Sequence, residues 1–290
     1  MPDRNKRKIY TAYPGGLWKA FTMSYDDGTD CDIRLCGLMR RYGVKGTFNV
    51  NSLHFRTPDS PPTSRPYRAM SAEEILACYG DDMEIAVHGA THAWWNLISP
   101  VNAMEDILQD KKNLEALTGR IIRGAAYPYG TYTDTVKDIL RAADFRYCRT
   151  GRITHSLELP EGDLMELPIT AHHIDPDAED LARELVGDST GIPKLYLLFG
   201  HSFEFVQDDN WDRIEQLLRI VGGRDDIWYA TNLEIFDYLW AVRQLHYDAA
   251  CTKAYNPTAT DVWLRICHKT RDASAPVLRI PAGCTAEIPD

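Results

Sequence analysis

No run among the 290 residues is apolar and long enough to span a bilayer, so a chain built of membrane-spanning helices is excluded. The leading segment, Met1–Lys8, is polar and charged with no apolar core after it. A signal peptide is therefore not expected, and a cytoplasmic location is, unless a leader has been trimmed away. Basic residues are in deficit, 32 Lys and Arg against 42 Asp and Glu, for a net charge of −10. No basic stripe is interleaved with aromatics. Neither nucleic acid nor a membrane surface is expected as a partner. Cys-x-x-Cys spacing is also missing, and the seven cysteines, at 31, 36, 78, 148, 251, 267 and 284, are odd in number. That fits reduced, packing cysteines better than a disulfide framework. There is no low-complexity tract.

What is present is a rhythm. The hydrophobic content of 44% is ample for a large core, and the length allows one or two domains. Short β-rich runs alternate with amphipathic stretches. Strands are expected at Leu17–Ser24, Gly46–Asn51, Met83–Gly89, Ile121–Tyr127, Tyr147–Ile153, Leu164–Ile169, Lys194–His201 and Asp226–Ala230. Helices are expected at Ile33–Tyr42, from Ser71, and at Pro100–Leu117, Asp134–Ala143, Ala178–Val186, Trp211–Val221 and Leu233–Leu245. Strand–helix–strand units imply parallel strands, and the expected fold is α/β, a distorted (β/α) barrel of seven repeats. Phe55–Pro66 is a polar loop rich in proline and serine. After Leu245 the texture changes, with β runs at Asp261–Ile266 and Pro276–Ile280. The expected division is a catalytic domain over 17–245 and a small β extension over 246–290, packed on the barrel.

The chain is organised around Thr22-Met23-Ser24-Tyr25-Asp26-Asp27-Gly28-Thr29. A β run that ends in Asp-Asp-Gly reads as a strand that stops and turns. Neighbouring strand residues face opposite sides, so one carboxylate can bind a cation while the other stays free as a base. His88-Gly89-Ala90-Thr91-His92 sets two imidazoles four residues apart, able to face one ion. With Asp27 they make one carboxylate and two imidazoles. Three protein ligands with an open position is the pattern of a catalytic rather than a structural zinc-type site. Asp26/Asp27, His88, Tyr129, His172/His173 and His201 all fall at strand ends, where barrel active sites gather.

These motifs, in this order, resemble the polysaccharide deacetylases with a NodB-homology domain, carbohydrate esterase family 4. The resemblance spans roughly residues 17–240: Ser24-Tyr25-Asp26-Asp27-Gly28, His88 to His92, Pro128-Tyr129-Gly130, and Leu198-Phe199-Gly200-His201. Gly43-Val44-Lys45-Gly46-Thr47-Phe48 also looks like the family's second strand. The resemblance implies roles. Asp27, His88 and His92 would hold the metal, Asp26 would be the general base, Tyr129 would offer its backbone N–H to the oxyanion, and His201 would be the general acid. The implied activity is metal-dependent removal of N-acetyl groups from amino sugars of an oligo- or polysaccharide, with release of acetate. Zinc is the expected metal, with cobalt, nickel, iron or manganese as alternatives.

Two departures stand out. The family's arginine, two residues before the proline of Pro-Tyr-Gly, is Ala126 here, and Arg149 or Arg123 would have to replace it, Arg149 being favoured. The family's Asp-Trp motif is not visible where expected, where Arg149-Thr150 stands, so Asp175 is the candidate to orient His201. Gly89 occupies the usual hydroxyl position. His172, His173, Glu204 and Trp211 are candidates to line the sugar site, and Trp94-Trp95 invites the same reading. Two rival functions remain: a hydrolase of small linear or cyclic amides unrelated to sugars, and a carbohydrate-binding pseudoenzyme. The presence of both carboxylates, both metal histidines and the acid histidine argues against the last.

Overall fold

Strands whose residues are all hidden need cover on both faces, and parallel strands crossed over by helices provide it. The structure, a computed structural model, describes residues 7–267 and 274–289. Residues 1–6 of the polar leader, and 268–273 and 290 of the C-terminal extension, lie outside the described residues.

The barrel strands are β2 (Lys19–Asp26), β3 (Gly46–Val50), β4 (Glu84–Val87), β5 (Gly124–Ala126), β6 (Tyr147–Ile153), β7 (Leu167–Ile169), β8 (Ala171–His172), β9 (Lys194–Gly200) and β10 (Trp228–Tyr229); β1 (Lys8–Ala12) lies outside the barrel. The helices are α1 (Cys31–Arg41), α2 (Ala72–Tyr79), α3 (Pro100–Thr118), α4 (Asp134–Ala142), α5 (Ala178–Gly187), α6 (Glu204–Gln207), α7 (Trp211–Val221) and α8 (Asn232–Arg243). Every residue of β2, β3 and β4 is buried.

The sheet runs β7-β6-β5-β4-β3-β2-β9-β8, all parallel. β7 and β8 are one strand interrupted at Thr170, whose N–H donates to Leu197 O at 2.9 Å. The sheet therefore nearly closes on itself. β10 pairs with Ala20 and Phe21 at the start of β2, while β3 pairs with Met23–Asp26 at its end. The barrel thus has seven strands at the end where the site lies, with a short eighth wedged in at the other. The first strand runs two residues later than its apolar run suggested, because Asp26 continues the ladder beside Asn49.

Beyond α8 the chain forms β11 (His246–Tyr247), β12 (Lys253–Tyr255), β13 (Val262–Cys267), β14 (Val277–Ile280) and β15 (Thr285–Glu287). One small sheet is β11-β12-β15; the other is β1-β13-β14. Strand β1 pairs antiparallel with β13 from Lys8↔Cys267 to Ala12↔Trp263. Val262, Leu264, Ile266 and Ile280 pack with Ala241 of α8 and Leu245. The described residues form no disulfide, and no helix among them is long and apolar enough to cross a membrane.

Candidate active site

Asp26 ends β2 with its side chain inside the barrel, 3% exposed. The chain then turns. Asp27 takes φ +78° and Gly28 +61°, while Asp27 N–H still donates to Asn49 O at 3.0 Å. His92 (φ +53°) and Tyr129 (φ +59°) are likewise left-handed. Left-handed backbone in non-glycine residues is uncommon and costs energy, and here three such residues converge on one place.

His88 follows β4. Its Nδ1 lies 2.9 Å from Ala126 O. A carbonyl only accepts, so Nδ1 carries the proton and Nε2 offers its lone pair. Asp27 Oδ1 lies 3.8 Å from His88 Nε2 and 3.7 Å from His92 Nε2. The three donor atoms all fall within 4.8 Å of one another. An ion bound at about 2.1 Å leaves tetrahedral donors about 3.4 Å apart, so small side-chain adjustments fit the three around one cation. The residues present suit a divalent metal.

The turn that carries the two histidines is held from beneath. Asp106 of α3 accepts from Thr91 N–H (2.9 Å), Thr91 Oγ1 (2.7 Å) and Trp95 Nε1 (2.8 Å). Gly89 is forced: its φ is +80°, and a Cβ there would meet Asp106 Oδ2 at 2.7 Å. Asp110 accepts from His88 N–H (3.0 Å) and Ser52 N–H (2.8 Å).

Arg149 of β6 stands in register with Ala126 of β5. Its guanidinium, 1% exposed, crosses the barrel and its Nη2 reaches both oxygens of Asp26 at 2.5 Å. The Phe199 ring lies 4.3 Å beneath it, and Asn49 Nδ2 donates to Asp26 at 2.8 Å. Arg123 points elsewhere, to Asp237 of α8 at 3.0 Å. Burial alone would raise the Asp26 carboxyl, but Arg149, then His88 and His201, outweigh it and hold the pKa at about 2. Burial lowers that of His88.

His201 follows β9, its Nε2 4.0 Å from Asp26 Oδ2. Its partner is Glu204, not Asp175. Glu204 Oε1 lies 3.4 Å from His201 Nδ1, and Oε2 accepts from His201 N–H at 3.1 Å. Burial opposes charge on His201, but Glu204, Asp26 and Asp27 prevail and raise its pKa. Asp175 cannot serve, because its carboxylate accepts from His172 N–H (2.8 Å) and lies 3.2 Å from the His155 ring. The spacing His201-x-x-Glu204 at the start of α6 was the available signal.

His172 and His173 do not line an open cleft. Their Nε2 atoms lie 3.4 and 3.3 Å from Glu204 Oε2. Ile174 N–H donates to His172 Nδ1 at 3.2 Å, so the proton of that ring sits on Nε2 and points at Glu204. His172, His201 and Glu204 also bring three donor atoms within 4.8 Å, but that tautomer suits a carboxylate better than an ion. His173 is sandwiched between Tyr25 and Phe205, and burial lowers its pKa to about 3. Trp211 is not at the site either. It packs on Phe205 and under the Arg34 guanidinium, 4.4 Å away. Trp94 stacks on Tyr129 at 3.6 Å beside His92, and both rings are exposed. Trp95 is buried.

A cleft of about 800 Å³ opens from Asp27, His92 and Tyr129 toward the 55–70 loop.

Residues 17–148 match the family model described as polysaccharide deacetylase. Arg149 lies just outside that span and His201 well beyond it. No curated protein sequence matches the chain. Among solved structures, a Mycobacterium smegmatis protein assigned to the polysaccharide deacetylases is 18% identical (TM-score 0.57, covering 81% of this chain and 94% of that one). Puue allantoinase is 13% identical (TM-score 0.55, 80% and 93%). The Xyl-CE4 domain of a multidomain xylanase from the hindgut metagenome of Trinervitermes trinervoides is 14% identical (TM-score 0.53, 77% and 92%). At these identities the likeness is one of fold.

Proposed function

We propose, from a chain that carries a polysaccharide deacetylase domain matched over residues 17–148, that this protein is a metal-dependent hydrolase removing N-acetyl groups from amino sugars of an oligo- or polysaccharide. The observation that carries the reading is one juxtaposition. The donor cluster Asp27/His88/His92 adjoins a buried carboxylate, Asp26, that Arg149 holds ionised. We assign the chemistry to 17–245 and read 246–290 as a β extension packed on that barrel.

A divalent cation on Asp27, His88 and His92, zinc being the first choice, would supply the Lewis acidity that acidifies water and polarises the amide carbonyl, which a base as weak as Asp26 needs. Asp26 stays ionised across the working range and takes the proton of the attacking water. The backbone N–H of Tyr129, in a strained turn beside His92, is assigned to the oxygen that gains charge. His201, its charged form favoured by Glu204, gives its proton to the departing nitrogen. The C–N bond breaks, and acetate and a free amine leave.

A second reading, hydrolysis of a small linear or cyclic amide, draws on the displaced arginine: Ala126 leaves its place on β5 empty of a guanidinium. The test is acetate release from N-acetylglucosamine oligomers by metal-loaded protein, beside Asp26→Asn and chelated protein. Release by the loaded wild type alone is expected. No release despite stoichiometric metal, with turnover of small ureides, would replace the first reading by the second.

A further inference from the structure

The cleft beside the donor cluster is lined by three arginines, Arg56, Arg65 and Arg68, and its single carboxylate is Asp27. Two of these guanidiniums are paired with carboxylates behind the cleft wall and, among the described residues, Arg65 at the rim is not. A neutral glycan does not call for it.

The wall that carries the arginines is built against the site. Met70 N–H donates to Gly28 O at 3.0 Å, next to Asp27, and Arg56 N–H donates to Met70 O at 2.9 Å. Asp30 N–H donates to Arg68 O (2.9 Å), and Arg68 N–H returns to Asp30 Oδ1 (3.0 Å). On the other side Tyr67 stacks on Phe203 at 4.6 Å, and Phe203 lies 5.1 Å from the His201 ring. The segment is tied to both halves of the machinery.

Two carboxylates behind the wall serve two of the guanidiniums. Glu74 takes Arg68 through both oxygens at 2.7 Å and Arg56 at 3.4 Å, and Asp30 lies 3.6 Å from Arg68. Arg65 is exposed, and its neighbour is the Tyr67 hydroxyl at 3.5 Å. Among the described residues no carboxylate pairs with it. A fork of N–H donors left over at the rim of a cleft recognises a planar or tetrahedral oxyanion.

We propose that the substrate carries an anionic group, a carboxylate or a phosphate, near the amide that is hydrolysed, and that Arg65, backed by Arg56 and Arg68, binds it. This rests on the deacetylase reading above and names its substrate class.

Three substrates decide it: a neutral N-acetylglucosamine oligomer, an oligomer containing N-acetylmuramic acid, and N-acetylglucosamine 6-phosphate. At least a tenfold preference in kcat/KM for one of the anionic substrates is expected, and which one identifies carboxylate or phosphate. The preference should shrink between about 0.05 and 0.5 M salt. Arg65→Ala should lower the anionic-to-neutral ratio about tenfold, and Arg65→Glu further; the position is exposed and circular dichroism checks the fold. Equal kcat/KM for all three, or an equal loss on all three in Arg65→Ala, overturns the proposal. If none releases acetate, the deacetylase reading fails separately. Calorimetric binding of the same three ligands to the Asp26→Asn protein then decides the anion site, with equal affinities counting against it.

Discussion

At the scale of single residues, the most informative contact is Arg149 on Asp26. The arginine occupies the strand next to the one where the family resemblance places it, yet its guanidinium ends on the same carboxylate. Side-chain length makes this feasible, and the Phe199 face beneath it supports the planar cation. A lysine is shorter and has no planar face to lie on the Phe199 ring. Arg149→Lys should lower kcat/KM about 10- to 100-fold, in line with about 1.5–3 kcal/mol for a charge-assisted hydrogen bond. The Asp26 carboxyl should also titrate higher, moving the acidic limb of the pH–rate profile upward. Unchanged turnover with an unchanged profile would remove Arg149 from the machinery.

At the scale of elements, the site depends on how strands end. Asp27, His92 and Tyr129 all take left-handed backbone in the turns that follow β2, β4 and β5, and their side chains meet there. The His88–His92 turn depends further on α3, whose Asp106 fills the space a side chain at 89 would need. That is the physical reason glycine stands where the resemblance leads one to expect a hydroxyl residue. Gly89→Ser should therefore destabilise the fold by about 1–3 kcal/mol, through left-handed backbone and the clash together. It should also weaken metal binding, read by titration of the apoprotein with zinc. A variant as stable as the wild type, binding zinc equally, would show that the turn can relax.

At the scale of the whole molecule, the barrel buries carboxyl groups besides Asp26. Glu84 accepts from Thr47 Oγ1 (2.7 Å), Leu233 N–H (2.8 Å) and Tyr147 Oη (2.9 Å). Burial still prevails over these bonds and pushes its pKa from 4.5 to about 7. The unfolded chain ionises this group near 4.5, and the folded one only near 7. The folded state thus holds an extra proton between those values, and stability falls as pH rises through them. The amplitude for one group is on the order of 3 kcal/mol. Asp32 and Asp110, also raised to about 7 by burial, act in the same direction. Urea unfolding from pH 4.5 to 7 should show this decline, and a shallower one in Glu84→Gln. Identical slopes would mean Glu84 is already ionised in the folded protein.

Much of this was legible in the chain. Local periodicity placed the strands and helices within a few residues, because each depends on neighbours one to four positions away. Asp26-Asp27-Gly28 and His88-x-x-x-His92 announced themselves for the same reason: their partners lie within one turn. The spacing His201-x-x-Glu204 belongs to this class as well. Other features needed the folded barrel. Arg149 meets Asp26 across 123 residues, β1 finds β13 more than 250 residues away, and Arg65 reaches the cleft only because its loop is bonded to Gly28 and stacked on Phe203. Which side chains meet inside a barrel depends on strand register and closure, and these are set by the packing of the whole sheet. Sequence alone determined the chemistry available at each strand end; tertiary structure decided which groups share it.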